Sequence, residues 1–200
     1  MTRPAALILD YGEVLSHPMR PGALALMASQ LGAPDTELVQ AYWRHRREYD
    51  LGMPARDYWT LVTQDVGLAL DEGLLASLIA IDVDAWTDYR DEMWTLAATF
   101  RKSGGKLGML SNGVREIVAR IRGDHDLAAQ FDTVVISYEE RLAKPEPEIY
   151  RITLDRLGVP ASDALFVDDR AENVEAAREL GLQTLLFTGD VHALRALTLI

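Results

Sequence analysis

The sequence predicts an α/β fold: a three-layer core around a five-strand parallel sheet, with a helical unit inserted after the first strand. Three observations carry this prediction. Five short apolar runs lack polar alternation, as strands buried on both faces do. Helical patterns lie between them. The interval between the first and second runs, residues 11–105, is too long for one crossover and is itself helical in pattern.

The runs are "ALILD" (6–10), "KLGMLS" (106–111), "TVVIS" (133–137), "ALFVDD" (164–169) and "TLLFT" (184–188). Between the later runs, "VREIVARI" places Val114, Ile117, Val118 and Ile121 on one stripe. "EIYRITLDRLG" does the same with Ile149, Ile152 and Leu157, and Gly158 stops it. "AENVEAARELG" ends at Gly181, again a helix-stopping glycine. Strand, helix, strand in this order gives a doubly wound, Rossmann-like core with right-handed crossovers. The terminal "VHALRALTLI" reads as a closing helix.

The long interval contains "GALALMASQLG", "TELVQAYWRHRREYDLG", "RDYWTLVTQDVGL", "EGLLASLIAID" and "DEMWTLAATFRKSGG". Breakers at Pro21, Gly32–Pro34, Gly52–Pro54 and Asp71–Gly73 divide it. The last segment must serve as the crossover into the second strand. This leaves residues 16–90 as an inserted helical cap domain, and residues 1–15 with 91–200 as the core domain. The chain shows no internal repeat and no low-complexity segment.

Composition narrows the function. With 200 residues, 48% of them hydrophobic, the chain can bury one sizeable core and a small second unit. It has no cysteine, which excludes disulfides and thiolate metal sites. A formal net charge of −11 opposes a nucleic-acid partner. His17, His45, His125 and His192 are scattered and do not pair at zinc-ligand spacing. No apolar run is long enough for a signal peptide or a membrane span, so a soluble cytoplasmic protein is expected.

In a parallel sheet, ligands bind beyond the C-terminal strand ends. Those ends carry Asp10, then Ser111–Asn112–Gly113, then Lys144 just after the third strand, then Asp168–Asp169. Each has an ordinary reading alone: a turn acid, turn residues, a loop lysine, a helix cap. Convergence on one rim argues for chemistry instead. Two carboxylates ~4 Å apart repel by about 4 kcal/mol at an effective dielectric near 20, so three together need a proton or a cation. Lys144 offsets part of this. Hard oxygen ligands suit Mg²⁺, which commonly binds one or two carboxylates and a substrate phosphate. The rim therefore reads as a phosphate-handling site. Within the insertion, Trp43, Tyr49, Trp59 and Trp86 read as core. "RHRRE" (44–48) reads as a solvated face from which Arg44 or Arg47 could reach over the rim, and His17 is expected near the hinge.

The order "D-x-G-x-V-L", "LSNG", "KPEPEIY", "VDDRAENVEAARELG", spread over residues 10–181, resembles the haloacid dehalogenase-like (HAD) superfamily. "YWRHRREYDLGMPARDYW" is similar to caps in the branch that includes the N-terminal phosphatase domains of epoxide hydrolases. The resemblance implies a Mg²⁺-dependent hydrolase of a small phosphorylated metabolite. Asp10 would be the nucleophile, forming an aspartyl-phosphate. Ser111 and the backbone around Asn112 would hold the phosphoryl oxygens, and Lys144 would neutralise both Asp10 and the transferring group. Asp10, the Gly12 carbonyl, Asp168 and Asp169 would hold Mg²⁺, with Asp169 the closer of the adjacent pair. Asn173 would steady that loop from behind.

One position departs from the pattern. The family's phosphatases carry a second aspartate where this chain has Gly12. That aspartate protonates the leaving oxygen, and general acid–base catalysis contributes ~10² to 10⁴ in rate. Three readings stay open: a phosphatase acting on a good leaving group, a 2-haloacid dehalogenase, or a weakly active or non-catalytic phosphate-binding module. Dehalogenases also lack the second aspartate, but they dispense with the metal, and Asp168–Asp169 argues against that reading. Glu13, the next residue, is expected to point elsewhere.

Overall fold

The computed structural model describes residues 3–198. Five strands, β1 (Ala6–Leu9), β2 (Lys106–Ser111), β3 (Thr133–Ile136), β4 (Ala164–Asp168) and β5 (Gln183–Leu186), form one parallel sheet in the order β3-β2-β1-β4-β5. The central β1 pairs with both β2 and β4, which places Asp10 between the ends of two neighbouring strands. Each expected strand is present, β2 with the same bounds and the others with ends moved by one or two residues.

Side chains alternate between two apolar layers, as the period of two requires. Ala6, Ile8, Leu110, Ala164 and Phe166 pack on helices α10 (Pro147–Leu157) and α11 (Ala171–Glu179). Leu7, Leu9, Leu107, Met109, Leu165 and Val167 belong to the opposite layer, with α6 (Asp91–Lys102), α7 (Arg115–Asp124) and α12 (Val191–Thr198). Burial on both faces explains why the strands read as unbroken apolar runs. The last two residues of the expected closing helix lie outside the described residues.

Five helices fill the interval after β1: α1 (Ala23–Leu31), α2 (Asp35–Arg44), α3 (Arg46–Asp50), α4 (Ala55–Asp65) and α5 (Glu72–Trp86). The pattern "TELVQAYWRHRREYDLG" predicts one helix, but the chain breaks at His45. There Arg44 and His45 both turn to Asp65 at the end of α4, at 2.7 and 2.9 Å. Met27, Leu38, Tyr42, Tyr58 and Trp59 of this insert share one apolar cluster with the sheet face. The chain enters and leaves the insert side by side: Ser16 bridges Tyr89, and the His17 N–H donates to the Asp88 carbonyl at 2.7 Å. Two short helices, α8 (Leu127–Gln130) and α9 (Ser137–Glu140), complete the structure. Among the described residues no helix is long and apolar enough to cross a membrane.

Candidate active site

The site begins where β1 stops. Asp10 continues the ladder with an N–H bond to the Val167 carbonyl (3.0 Å), and its Oδ1 accepts from the Tyr11 N–H (2.7 Å). The turn that follows, Tyr11–Leu15, closes through the Ser16 N–H on the Tyr11 carbonyl and puts Glu13 at φ 57°. A non-glycine residue rarely adopts this left-handed conformation. It swings Glu13 to the cavity wall, near enough to Asp169 to act on it electrostatically. The side chain of Glu13 is thus part of the site, contrary to the expectation that it points elsewhere.

Lys144 arrives on the loop before α10, and its ammonium lies between Asp10 Oδ1 (2.7 Å) and Asp168 Oδ2 (2.6 Å). Asn112, the residue after β2, holds that loop. Its Nδ2 donates to the Lys144 carbonyl (2.9 Å) and its Oδ1 accepts from the Lys144 N–H (2.8 Å). One bond at each end fixes the Asn112 amide to the Lys144 loop, and its second Nδ2 proton and its backbone remain for a ligand. Ser111 is buried at the cavity wall, and its hydroxyl makes no hydrogen bond among the described residues.

The two adjacent acids occupy different environments. Asp168 ends β4 fully buried, and it accepts from Lys144, from the Arg170 N–H (2.8 Å) and from Asn173 Nδ2 (2.9 and 3.1 Å). Asp169 borders the cavity with no hydrogen bond to its carboxylate among the described side chains. Asn173 Oδ1 is buried without a partner beside them.

Charge is unbalanced here. Asp10, Asp168 and Asp169 each place a carboxylate oxygen within 4.8 Å of the others, around the one buried ammonium. Burial, opposed by Lys144 and reinforced by Asp168, pushes Asp10 up to about 7. Burial and Asp168 push Asp169 up to about 6. Burial alone would lower Lys144, but Asp10 and Asp168 outweigh it and raise it. A hard divalent cation would relieve both raised carboxyls, and the all-oxygen donor set fits Mg²⁺.

A cavity of about 350 Å³ opens over these groups. Asp10, Gly12, Ser111, Asn112, Lys144, Asp169 and Asn173 border it, with Asp168 behind. Arg44 and Arg47 lie on the solvated face read from the sequence and do not reach the cavity, and His17 lies at the hinge where it was expected. Arg44 pairs with Asp65, and Arg47 pairs with Glu146 (2.8 Å). Arg46 and Asp50 border the cavity instead, and Trp43 and Trp86 join them, whereas Tyr49 and Trp59 are core. Arg46 is the middle arginine of "RHRRE", and no feature of that run separates it from its neighbours.

Comparison with known proteins then fixes the family. The family model for haloacid dehalogenase-like hydrolases matches residues 6–181. The chain belongs to this family. It is 30% identical over 161 residues to (S)-2-haloacid dehalogenase 1 of Pseudomonas sp. (strain CBS-3), covering 74% of this chain and 70% of that one. It is also 30% identical over 137 residues to bifunctional epoxide hydrolase 2 of Rattus norvegicus, covering 66% of this chain but 24% of the rat protein. The chain thus corresponds to about a quarter of that relative's length. Among solved structures, a haloacid dehalogenase family enzyme of Bacteroides thetaiotaomicron, in complex with magnesium and inorganic phosphate, superposes with a TM-score of 0.76 at 21% identity. The match covers 95% of this chain and 98% of that one and identifies the shared fold. This haloacid dehalogenase-like hydrolase carries Asp10, Asp168 and Asp169 at its C-terminal strand ends and a glycine at position 12.

Proposed function

We propose that this hydrolase is a Mg²⁺-dependent phosphatase of a small phosphorylated metabolite, with residues 16–90 acting as its cap. The observation that carries the reading is the trio Asp10, Asp168 and Asp169 around a single ammonium. Such a site favours a cation and, with it, an anionic substrate. The Bacteroides structure with magnesium and phosphate supports the same assignment.

The roles follow from the hydrogen bonds. Asp10 Oδ1 is taken by Tyr11 and Lys144, while Oδ2 accepts no hydrogen bond among the described residues. Oδ2 would attack phosphorus. The bond to Asp10 forms, the bond to the leaving oxygen breaks, and water then hydrolyses the aspartyl-phosphate. Lys144 keeps Oδ1 neutralised throughout. Ser111 Oγ and the backbone after it would hold phosphoryl oxygens. Asp10, Asp169 and the Gly12 carbonyl would hold Mg²⁺, which when bound supplies the positive charge that keeps Asp10 ionised beside a phosphate. Asp168, already saturated, would orient Lys144 and the Asp169 loop. Gly12 offers no proton, so the leaving group would depart as an anion or take its proton from water or from another acid at the cavity wall, Glu13 first.

The dehalogenase reading draws on Gly12 and on the Pseudomonas relative. One experiment separates the two. Purified protein is assayed with acetyl phosphate, nitrophenyl phosphate and a 2-haloacid, each with Mg²⁺ and with EDTA. Phosphate release that needs Mg²⁺ and falls by several orders of magnitude in Asp10→Asn is expected. Halide release that persists in EDTA would replace the phosphatase by the dehalogenase. Phosphate binding with no turnover of any substrate would leave the non-catalytic module.

A further inference from the structure

Besides the strand ends and an apolar stretch from α7 (Ile117, Val118 and Ile121), the cavity is lined by residues of the insert. Trp86, the last residue of α5, lies over Gly12: a Cβ at position 12 would stand 3.8 Å from Trp86 Cζ3. The space above position 12 is therefore bounded by an indole. Tyr11 Oη donates to the Trp86 carbonyl (2.6 Å), and Trp86 Nε1 donates to Tyr42 Oη (3.1 Å). With Nε1 taken, the ring presents only its apolar surface to the cavity.

Arg46 and Asp50 stand beside it. The Arg46 guanidinium lies 5.8 Å from the Trp86 ring centre, and its Nε donates to Asp50 Oδ1 at 3.1 Å. Its Nη1 donates to Tyr42 Oη and to Asp82 Oδ2 at 3.5 Å. The Arg46 and Asp50 side chains are 12% and 15% exposed, and both border the cavity. Asp50 Oδ2 accepts no hydrogen bond among the described residues. Trp43, 47% exposed, stands at the mouth.

The charges around the cavity discriminate. Lys144, Arg46 and Arg170 are the cations bordering it among the described residues, and each is already paired: with Asp10 and Asp168, with Asp50 and Asp82, and with Glu172 at 3.0 Å. Glu13 and Asp169 add further negative charge. Each cation is matched or outnumbered by the carboxylates paired with it, so a second phosphate or a carboxylate on the substrate would meet no net positive charge here. The volume, about 350 Å³, is near the lower end of the ~300–1,000 Å³ typical of ligand pockets, so a phosphate and one small ring suit it.

Resting on the phosphatase reading, we infer that the leaving group is a neutral hydroxylated ring, a monosaccharide, packed by its C–H face on Trp86 and read by Asp50 and Arg46. Ring hydroxyls donate to Asp50 Oδ2, and hydroxyl oxygens accept from the Arg46 guanidinium. Asp50 and Trp86 thereby determine specificity rather than take part in phosphoryl transfer.

The test has two arms. In the first, kcat/KM is measured with Mg²⁺ for a monosaccharide 1-phosphate, a monosaccharide bisphosphate and acetyl phosphate, in wild type and Asp50→Asn. The monophosphate is expected to exceed the bisphosphate at least tenfold. Asp50→Asn, which keeps an acceptor for Arg46, should lower the ratio of sugar phosphate to acetyl phosphate by roughly ten- to a hundredfold, chiefly through KM. Equal use of the bisphosphate, or an unchanged ratio in a variant with wild-type circular dichroism, would overturn the inference. In the second arm, calorimetry compares the monosaccharide 1-phosphate with inorganic phosphate on Asp10→Asn. Tighter binding of the sugar phosphate supports the inference, and equal binding overturns it even where the Asp50 variant does not fold. Absence of turnover on every phosphate would remove the phosphatase reading, and the calorimetric comparison would still decide the sugar site.

Discussion

With its pKa pushed up to about 7 by burial, Asp10 keeps its proton in the metal-free fold to a pH at which an unfolded chain has long released it. Between about pH 4 and 7 the native state therefore binds more protons than the unfolded one, and stability falls as pH rises through that window. A rise from 3.8 to about 7 corresponds to about 4 kcal/mol, partly offset in a variant by the lost bond to Lys144. Asp10→Asn is accordingly expected to melt higher than wild type in EDTA at pH 8, with the gap closing near pH 4. A wild type that melts higher at pH 8 would show that the Lys144 pairing outweighs burial. At Gly12, φ −60° and ψ 130° are open to any residue, so the backbone accepts Gly12→Asp and Trp86 sets the limit. The variant should raise kcat/KM on an alkyl phosphate by up to ~10² while nitrophenyl phosphate changes far less. An equal effect on both would mean that the new carboxyl does not reach the leaving oxygen. Asp10, Ser111, Asp168 and Asp169 were legible because apolar runs locate strand ends and strand ends locate ligands, whereas Lys144 sits beyond α9 on the loop before α10 and was read from its motif. Arg46 and Asp50 were not. Which arginine of an amphipathic run turns inward depends on the break at His45, and that break depends on Asp65 in another helix.

Among the elements, the five strands and the long helices were legible from period and glycine stops, whereas α8 and α9, four residues each, are too short to show a period. Yet α9 carries a joint that matters. Ser137, its first residue, accepts from the Gly113 N–H (3.0 Å) and donates to the Asp50 carbonyl (2.5 Å). One hydroxyl thus registers α3 of the insert against the loop after β2. Ser137→Ala would leave a buried N–H and a carbonyl without it, at a cost of about 1–3 kcal/mol. Urea denaturation should show a lower midpoint with an unchanged slope. An unchanged midpoint would mean that water replaces the hydroxyl and that the joint is dispensable.

Across the whole molecule, the sheet order sets the chemistry. Placing β1 between β2 and β4 brings residues from positions 10, 111, 144 and 168 to one rim, though more than 150 residues of chain separate the first from the last. The net charge of −11 is distributed so that positive charge is scarce around that rim, and what there is comes already paired. Lysine is scarcer still: it occurs at Lys102, Lys106 and Lys144 alone, beside a full complement of arginine. Lys102 and Lys106 belong to the far edge of the core, and Lys144, 2% exposed, lies between Asp10 and Asp168. Labelling lysine with a nitrogen isotope should therefore give a nuclear magnetic resonance spectrum of three side-chain signals, one of which comes from inside the candidate site. An ammonium buried and held by two carboxylates is expected to exchange its protons slowly with water. Its resonance is expected to stand apart from the other two and to shift with each change of charge on the acid beside it.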